Sequence, residues 1–119
     1  MFGTTTLDSI FSALGDPTRR RMVERLARGP LSISDVSAGF SISQPAISKH
    51  VKILERSGLV RRDVVGREHR LRLSPVAMES ASSWIERQRS YWTAALDRLD
   101  AYLKPAPPGG RRKKWAPTS

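Results

Sequence analysis

At residues 43–73 the chain reads SQPAISKHVKILERSGLVRRDVVGREHRLRL, a short helical pattern followed at once by an arginine-rich hairpin pattern. Ser43 is a favourable N-cap, and Pro45 falls in the first turn, where its missing N–H leaves no helical bond unmade. A helix is therefore expected from Ser43 to Gly58. Ile47, Val51 and Leu54 recur at helical spacing and define its buried stripe. Gln44, Pro45, Ser48, Lys49 and Lys52 then share the opposite face, which is rich in donors and holds no carboxylate. After Gly58, the residues Val60, Arg62 and Val64 alternate with Arg61 and Asp63. Gly66 marks a turn, and His69, Leu71 and Leu73 alternate with Arg70 and Arg72, so a two-stranded wing is expected.

Charge points the same way. The 119 residues carry a net charge of +10 with a pI near 11.2, which attracts polyanions. Between Ser43 and Arg72, eight basic residues face only Glu55, Asp63 and Glu68, a local excess of five. Lys104 and the run RRKK supply the other five. An apolar fraction of 39% suffices for one small core. With no cysteine, disulfides, thiolate metal ligands and thiol redox sensing are excluded. The opening MFGTTTLDSIFSAL has no basic leader and no sustained apolar run, and no segment approaches the roughly 18 apolar residues of a membrane span. A cytoplasmic protein with no membrane partner is the expectation.

Outward from the central stretch, Leu7, Ile10, Phe11 and Leu14 form the apolar face of a short helix from about Thr6 to Leu14. Asp16 caps a second helix with Pro17 in its first position and Met22, Val23 and Leu26 on its inner side; Gly29 and Pro30 end it. Ser32 and Asp35 resemble a capping box and open a short third helix holding Ile33, Val36 and Ala38 up to Gly39, with Phe40 plugging the core. Gly39 to Ile42 is then a connection of helix-turn-helix length. Ser74 and Pro75 open a long helix of about 29 residues, with Met78, Ala81, Ile85, Trp92, Leu96, Leu99 and Leu103 along one face. Its length exceeds what so small a domain covers, so part of that stripe is expected to meet another subunit. The expected fold is mainly α with a small β-hairpin, in the order α-α-α-α-β-β-α. Residues 1–103 are expected to form one domain, and 104–119, KPAPPGGRRKKWAPTS, a disordered basic tail.

LGDPTRRRMVERLARGP, SISDVSAGF, SQPAISKHVKILERSGLV and the hairpin around VVGREHRLRL, in that order, resemble the ArsR family of bacterial winged-helix repressors. The match covers roughly residues 6 to 103. The resemblance implies a homodimer that binds double-stranded DNA, with its first and last helices paired across a two-fold axis. Leu7, Ile10, Phe11, Ile85, Trp92, Leu96 and Leu99 would lie at that interface. It also implies one recognition helix per subunit in successive major grooves, with Ser43, Gln44, Ser48, Lys49 and His50 contacting DNA there and Arg67 doing so from the wing tip. Metal-sensing members hold their ion with cysteines before the recognition helix or with Asp and His in the final helix. Here SISDVSAGF has neither Cys nor His, and residues 75–103 have no His. The chain resembles the non-metal members, so no metal or cofactor is expected and no inducer is specified.

Side-chain chemistry sorts these positions. The Gln44 amide both donates and accepts, which suits the N6/N7 edge of adenine, and Ser48 lies one turn on. Lys49 and Lys52 are flexible point charges suited to phosphate. His50 lies between the polar face and the buried stripe, and either touches a phosphate or covers the edge of the core. His69, in phase with Leu71 and Leu73, is expected on the inner side of the wing as a hydrogen-bonded structural residue. Arg67 follows the turn glycine, where a guanidinium enters a narrow minor groove or meets the backbone. Trp84, Tyr91 and Trp92 are read as core or interface rather than a ligand cage. No phosphate loop and no nucleophile–base spacing occurs, so no catalytic residue is assigned and an enzyme is not expected. The competing classes are a non-specific architectural or RNA-binding protein acting through charge alone, and a winged helix that binds proteins.

Overall fold

The computed structural model describes residues 2–104, with side chains described from Leu7 onward. Its elements run α1 (Phe2–Leu14), α2 (Pro17–Leu26), β1 (Leu31–Ser32), α3 (Ile33–Val36), α4 (Gln44–Arg56), β2 (Val60–Val65), β3 (Glu68–Leu73) and α5 (Pro75–Leu103). The chain divides into two compact units, the first ending at Trp84 and the second beginning at Ile85. Of the tail expected over residues 104–119, Lys104 is described, its backbone N–H donating to the Asp100 carbonyl at 3.0 Å, and residues 105–119 lie outside the described residues.

The helix boundaries follow local chemistry. The Asp16 carboxylate accepts from the Arg19 N–H at 3.0 Å, and the Ser32 hydroxyl accepts from the Asp35 N–H at 3.1 Å. Each satisfies one of the orphan donors of a first helical turn. Gly58 follows α4 with φ of 86°, the left-handed conformation that ends a helix most easily when no Cβ is present. Next to it Ser57 is buried without loss, because its hydroxyl donates to the Leu54 carbonyl at 2.7 Å and accepts from the Leu59 N–H at 3.1 Å. α1 begins at Phe2, earlier than the expected Thr6.

The sheet differs from the expected hairpin. β3 is the central strand of three, with β2 on one side and the two-residue β1 on the other, all antiparallel. β1 pairs through Leu31 with Leu71 and Ser32 with Arg70, so the order becomes α-α-β-α-α-β-β-α. Ile10, Met22, Val36, Val51, Leu54, Leu59 and Leu71 are almost wholly buried and form the centre of the core of the first unit. From α5 that core receives Ala77 and Ala81; Met78, expected on the inner face, is 38% exposed. Phe40 is half-buried against the core, with the Arg25 guanidinium 4.5 Å from its ring centre. Arg25 also donates to the carbonyls of Val36 and Ala38 at 3.0 and 2.8 Å, and so closes the end of α3 where the chain turns toward α4.

In the second unit α5 continues as one helix to Leu103. Ile85, Trp92 and Leu99, seven residues apart, are 49%, 60% and 51% exposed, and Leu96 is half-buried. Among the described residues, no helix is long and apolar enough to cross a membrane.

Candidate nucleic-acid interface

Ser43 caps α4, its hydroxyl accepting from the Ala46 N–H at 3.3 Å. Among the described residues the hydroxyl hydrogen meets no acceptor. Ile47, Val51 and Leu54 are buried, so the opposite side of the helix turns outward and Ser43, Gln44, Pro45, Ser48, Lys49 and Lys52 are all exposed on it. Gln44, Ser48 and Lys52 stand on one row at four-residue intervals. The row begins at the N-terminus of a 13-residue helix, where the aligned backbone dipoles favour an anion.

His50 has a different setting from the other outward positions. Its ring is half-buried, with Nδ1 3.2 Å from the Arg19 guanidinium and 3.9 Å from the Asp16 carboxylate. These contacts tie α4 to the start of α2, a role that neither expected reading of His50, phosphate contact or cover for the core edge, included. Arg19 is the hub of that tie, also donating to the Ala13 and Ser12 carbonyls at the end of α1. The Asp16 carboxyl is held below its usual range, chiefly by the Arg19 backbone N–H, with His50 and Arg19 charge adding to the effect. Its capping contribution is therefore present above the unfolded value of 3.8 and is lost as pH falls through the lower folded value. This node was missed in the sequence because Asp16 read only as a cap; the i, i+3 Asp–Arg spacing ahead of a basic helix was its one signal.

On the wing, β2 and β3 are joined by the two-residue loop Gly66–Arg67, with Gly66 at φ of 66°. Arg67 is exposed at the tip. Cα pairing puts Val60, Arg62 and Val64 on the same face as Leu73, Leu71 and His69. That face is inward at Val60 and Leu71, but the strands outrun the core, so Val64 and His69 are exposed. His69 takes the expected face and its Nδ1 meets the Arg62 guanidinium at 3.2 Å, but it is exposed.

Acids on the wing and helix are already spent on arginines. Glu55 binds Arg62, Asp63 binds Arg72 at 2.8 Å, and Glu68 lies 3.6 Å from Arg70. Lys49, Lys52, Arg56, Arg61 and Arg67 make no ion pair among the described residues, and these five are the local charge excess. Among the described residues no group of three His, Cys, Asp or Glu side chains gathers to hold a metal.

Of the positions expected at a subunit interface, Ile10 is fully enclosed by the core of its own chain and has no surface to offer a partner. Leu7 and Phe11 are half-buried, and the Phe11 ring packs on Trp84 with centroids 5.4 Å apart. Ile85, Trp92 and Leu99 remain largely exposed.

A short helix leading through a tight turn into a polar-faced helix, followed by a basic hairpin, defines a winged helix-turn-helix DNA-binding protein. A helix-turn-helix domain model matches residues 14–63. A helix-turn-helix-type transcriptional regulator of Mycobacterium tuberculosis is 36% identical over 89 residues, covering 75% of this chain and 80% of that protein. Transcriptional repressor SdpR of Bacillus subtilis is 28% identical over 79 residues, covering 66% of this chain and 88% of that one. Among solved structures, an ArsR family transcriptional regulator is 34% identical with a TM-score of 0.67, over 73% of this chain and 96% of the other. An ArsR-like regulator from Rhodococcus sp. RHA1 is 29% identical with a TM-score of 0.72, over 89% of this chain and 100% of the other. The chain belongs to the ArsR family of winged helix-turn-helix transcriptional regulators and is a sequence-specific DNA-binding protein.

Proposed function

We infer that the chain is a dimeric repressor that occupies a pseudo-palindromic operator, with half-sites about one helical turn apart. The observation that carries this reading is the outward face of α4: exposed amide, hydroxyl and ammonium groups, no carboxylate, and five uncompensated cations shared with the wing. Gln44 and Ser48 address base edges; Lys49, Lys52 and Arg67 address backbone or minor groove. Ser43 and Pro45 shape the helix start against a phosphate. Repression, which the name of the Bacillus subtilis relative states for that protein, follows here from promoter occupancy. The dimer is supported by the apolar stripe Ile85, Trp92, Leu96 and Leu99, of which all but Leu96 are about half exposed or more.

Gln44→Ala is expected to relax discrimination at one base pair and to cost about 1–3 kcal/mol of operator binding. Affinities measured for duplexes varied at single positions check this; unchanged affinity and specificity would remove Gln44 from the reading. Lys52→Ala or Arg67→Ala is instead expected to weaken all duplexes alike and to reduce the log–log salt slope by about 1. The reading as a whole is tested by titrating the best duplex from a random pool against a scrambled one at two salt concentrations. A preference on the order of 10³ or more supports a repressor. Near-equal affinities with a steep salt slope would mean binding through charge alone.

A further inference from the structure

An ion pair joins the recognition helix to the wing, and its geometry is a fork. Arg62 Nε donates to Glu55 Oε2 at 2.8 Å, and Arg62 Nη2 donates to Glu55 Oε1 at 2.9 Å. Glu55 lies in the last turn of α4, and Arg62 is the third residue of β2 on its inward face. The third nitrogen, Nη1, meets His69 on β3, so one guanidinium ties α4 to both strands of the wing. The pair is half-buried, with side chains 29% and 27% exposed, and the Glu55 hydrogen bonds raise the Arg62 pKa above its ordinary value. A two-bond planar fork fixes orientation as well as distance, which a single lysine contact does not.

This arrangement has a cost for simple attraction to DNA. Glu55 places a negative charge within the basic region and neutralises an arginine that would otherwise add to it. A surface selected for charge alone would lack it.

We propose that the Glu55–Arg62 fork is a specificity-determining element: it holds the wing in one orientation to α4, so that a wing seated on the DNA backbone leaves Gln44 and Ser48 in register with the bases, and a misdirected wing, unlike one that has only lost a contact, pulls them out of register. Both residues are positioning residues, acting through the wing and the helix they join. The proposal rests on the operator-binding reading above and makes a prediction with two opposite signs. Glu55→Gln removes a negative charge and releases Arg62, so affinity for unrelated DNA rises while preference for the operator falls. Loss of folding lowers both.

The test uses the full chain, a duplex enriched from a random pool by the wild-type protein, and a scrambled duplex of the same length and composition. For Glu55→Gln the expected results are a salt slope steeper by about 0.9 on the scrambled duplex and an operator-to-scrambled ratio reduced about tenfold. For Arg62→Lys, which keeps the charge but not the fork, the slope stays unchanged and the ratio falls by a similar factor. Exchanging the pair, Glu55→Arg with Arg62→Glu, keeps net charge and restores most of the ratio. A wild-type protein with no preference overturns the operator reading and this proposal together. A wild-type preference that survives intact in Glu55→Gln and Arg62→Lys overturns the proposal alone, as does an equal fall in both affinities.

Discussion

Leu54→Ala is expected to lower the unfolding free energy by about 2–5 kcal/mol, the range for truncating a buried leucine where the surroundings collapse only partly. Leu54 is fully buried, sits three residues from Val51 and seven from Ile47 on the same stripe, and is followed directly by the Glu55 that reaches the wing. A small domain has only about 5–15 kcal/mol in total, so this one change removes a large part of it. Denaturant unfolding should show a lower midpoint with an unchanged slope, since the surface exposed on unfolding stays nearly the same. A loss under about 1 kcal/mol would show that the α4 stripe is not an anchor of the core. DNA binding is expected to fall only as far as the folded fraction falls, because Leu54 presents nothing to the outside.

Trp92→Asp is expected to act in the opposite way, leaving the monomer folded and abolishing the dimer. Trp92 is 60% exposed in the single chain, and substitution at such a position ordinarily changes stability by about 0.5 kcal/mol or less. At an interface a truncated tryptophan costs about 2 kcal/mol or more, and two-fold symmetry counts it twice. The dimer constant should therefore weaken about 10³-fold, with operator affinity falling because one half-site is left unbound. Sedimentation equilibrium at micromolar concentration checks the first part, and operator titration the second. A Trp92→Asp protein that stays dimeric, or a wild type that is monomeric, would defeat the claim that the stripe on α5 is an interface.

The parts of the fold that were legible in the sequence are those set by local chemistry. Ser43, Pro45 and Gly58 bounded α4 because capping, proline tolerance and a left-handed glycine depend on a few neighbouring residues. Asp16 with Pro17, and Ser32 with Asp35, likewise opened α2 and α3, although α3 stops at Val36, short of the expected Ala38 and Gly39. β1 was not legible, because two residues carry no period and Leu31 becomes a strand only through Leu71, forty residues away. His69 obeyed the predicted alternation yet came out exposed, since phase tells which face a residue takes but not where the core stops. In α5 the small Ala77 shares the buried position with Ala81 while Met78 stays at the margin, a distinction of close approach that a hydrophobic pattern does not encode.

For the candidate site the outward face of α4 was legible from the phase of Ile47, Val51 and Leu54 alone. The division of the wing's arginines was not. Alternation sets Arg62 in the opposite phase to Arg61, but only strand register and the reach of Glu55, Asp63 and Glu68 separate the paired Arg62, Arg70 and Arg72 from Arg61. His50 likewise depended on α2 lying beside α4, which brings Arg19 within 3.2 Å of its ring.

Selection of duplexes from a random pool by the purified chain tests the central claim most directly. Enrichment of an inverted repeat with half-site centres about 10 base pairs apart, lost or altered at one position per half-site in Gln44→Ala, is the predicted result. A pool that remains random after repeated rounds, although the chain retains DNA at low salt, would contradict it.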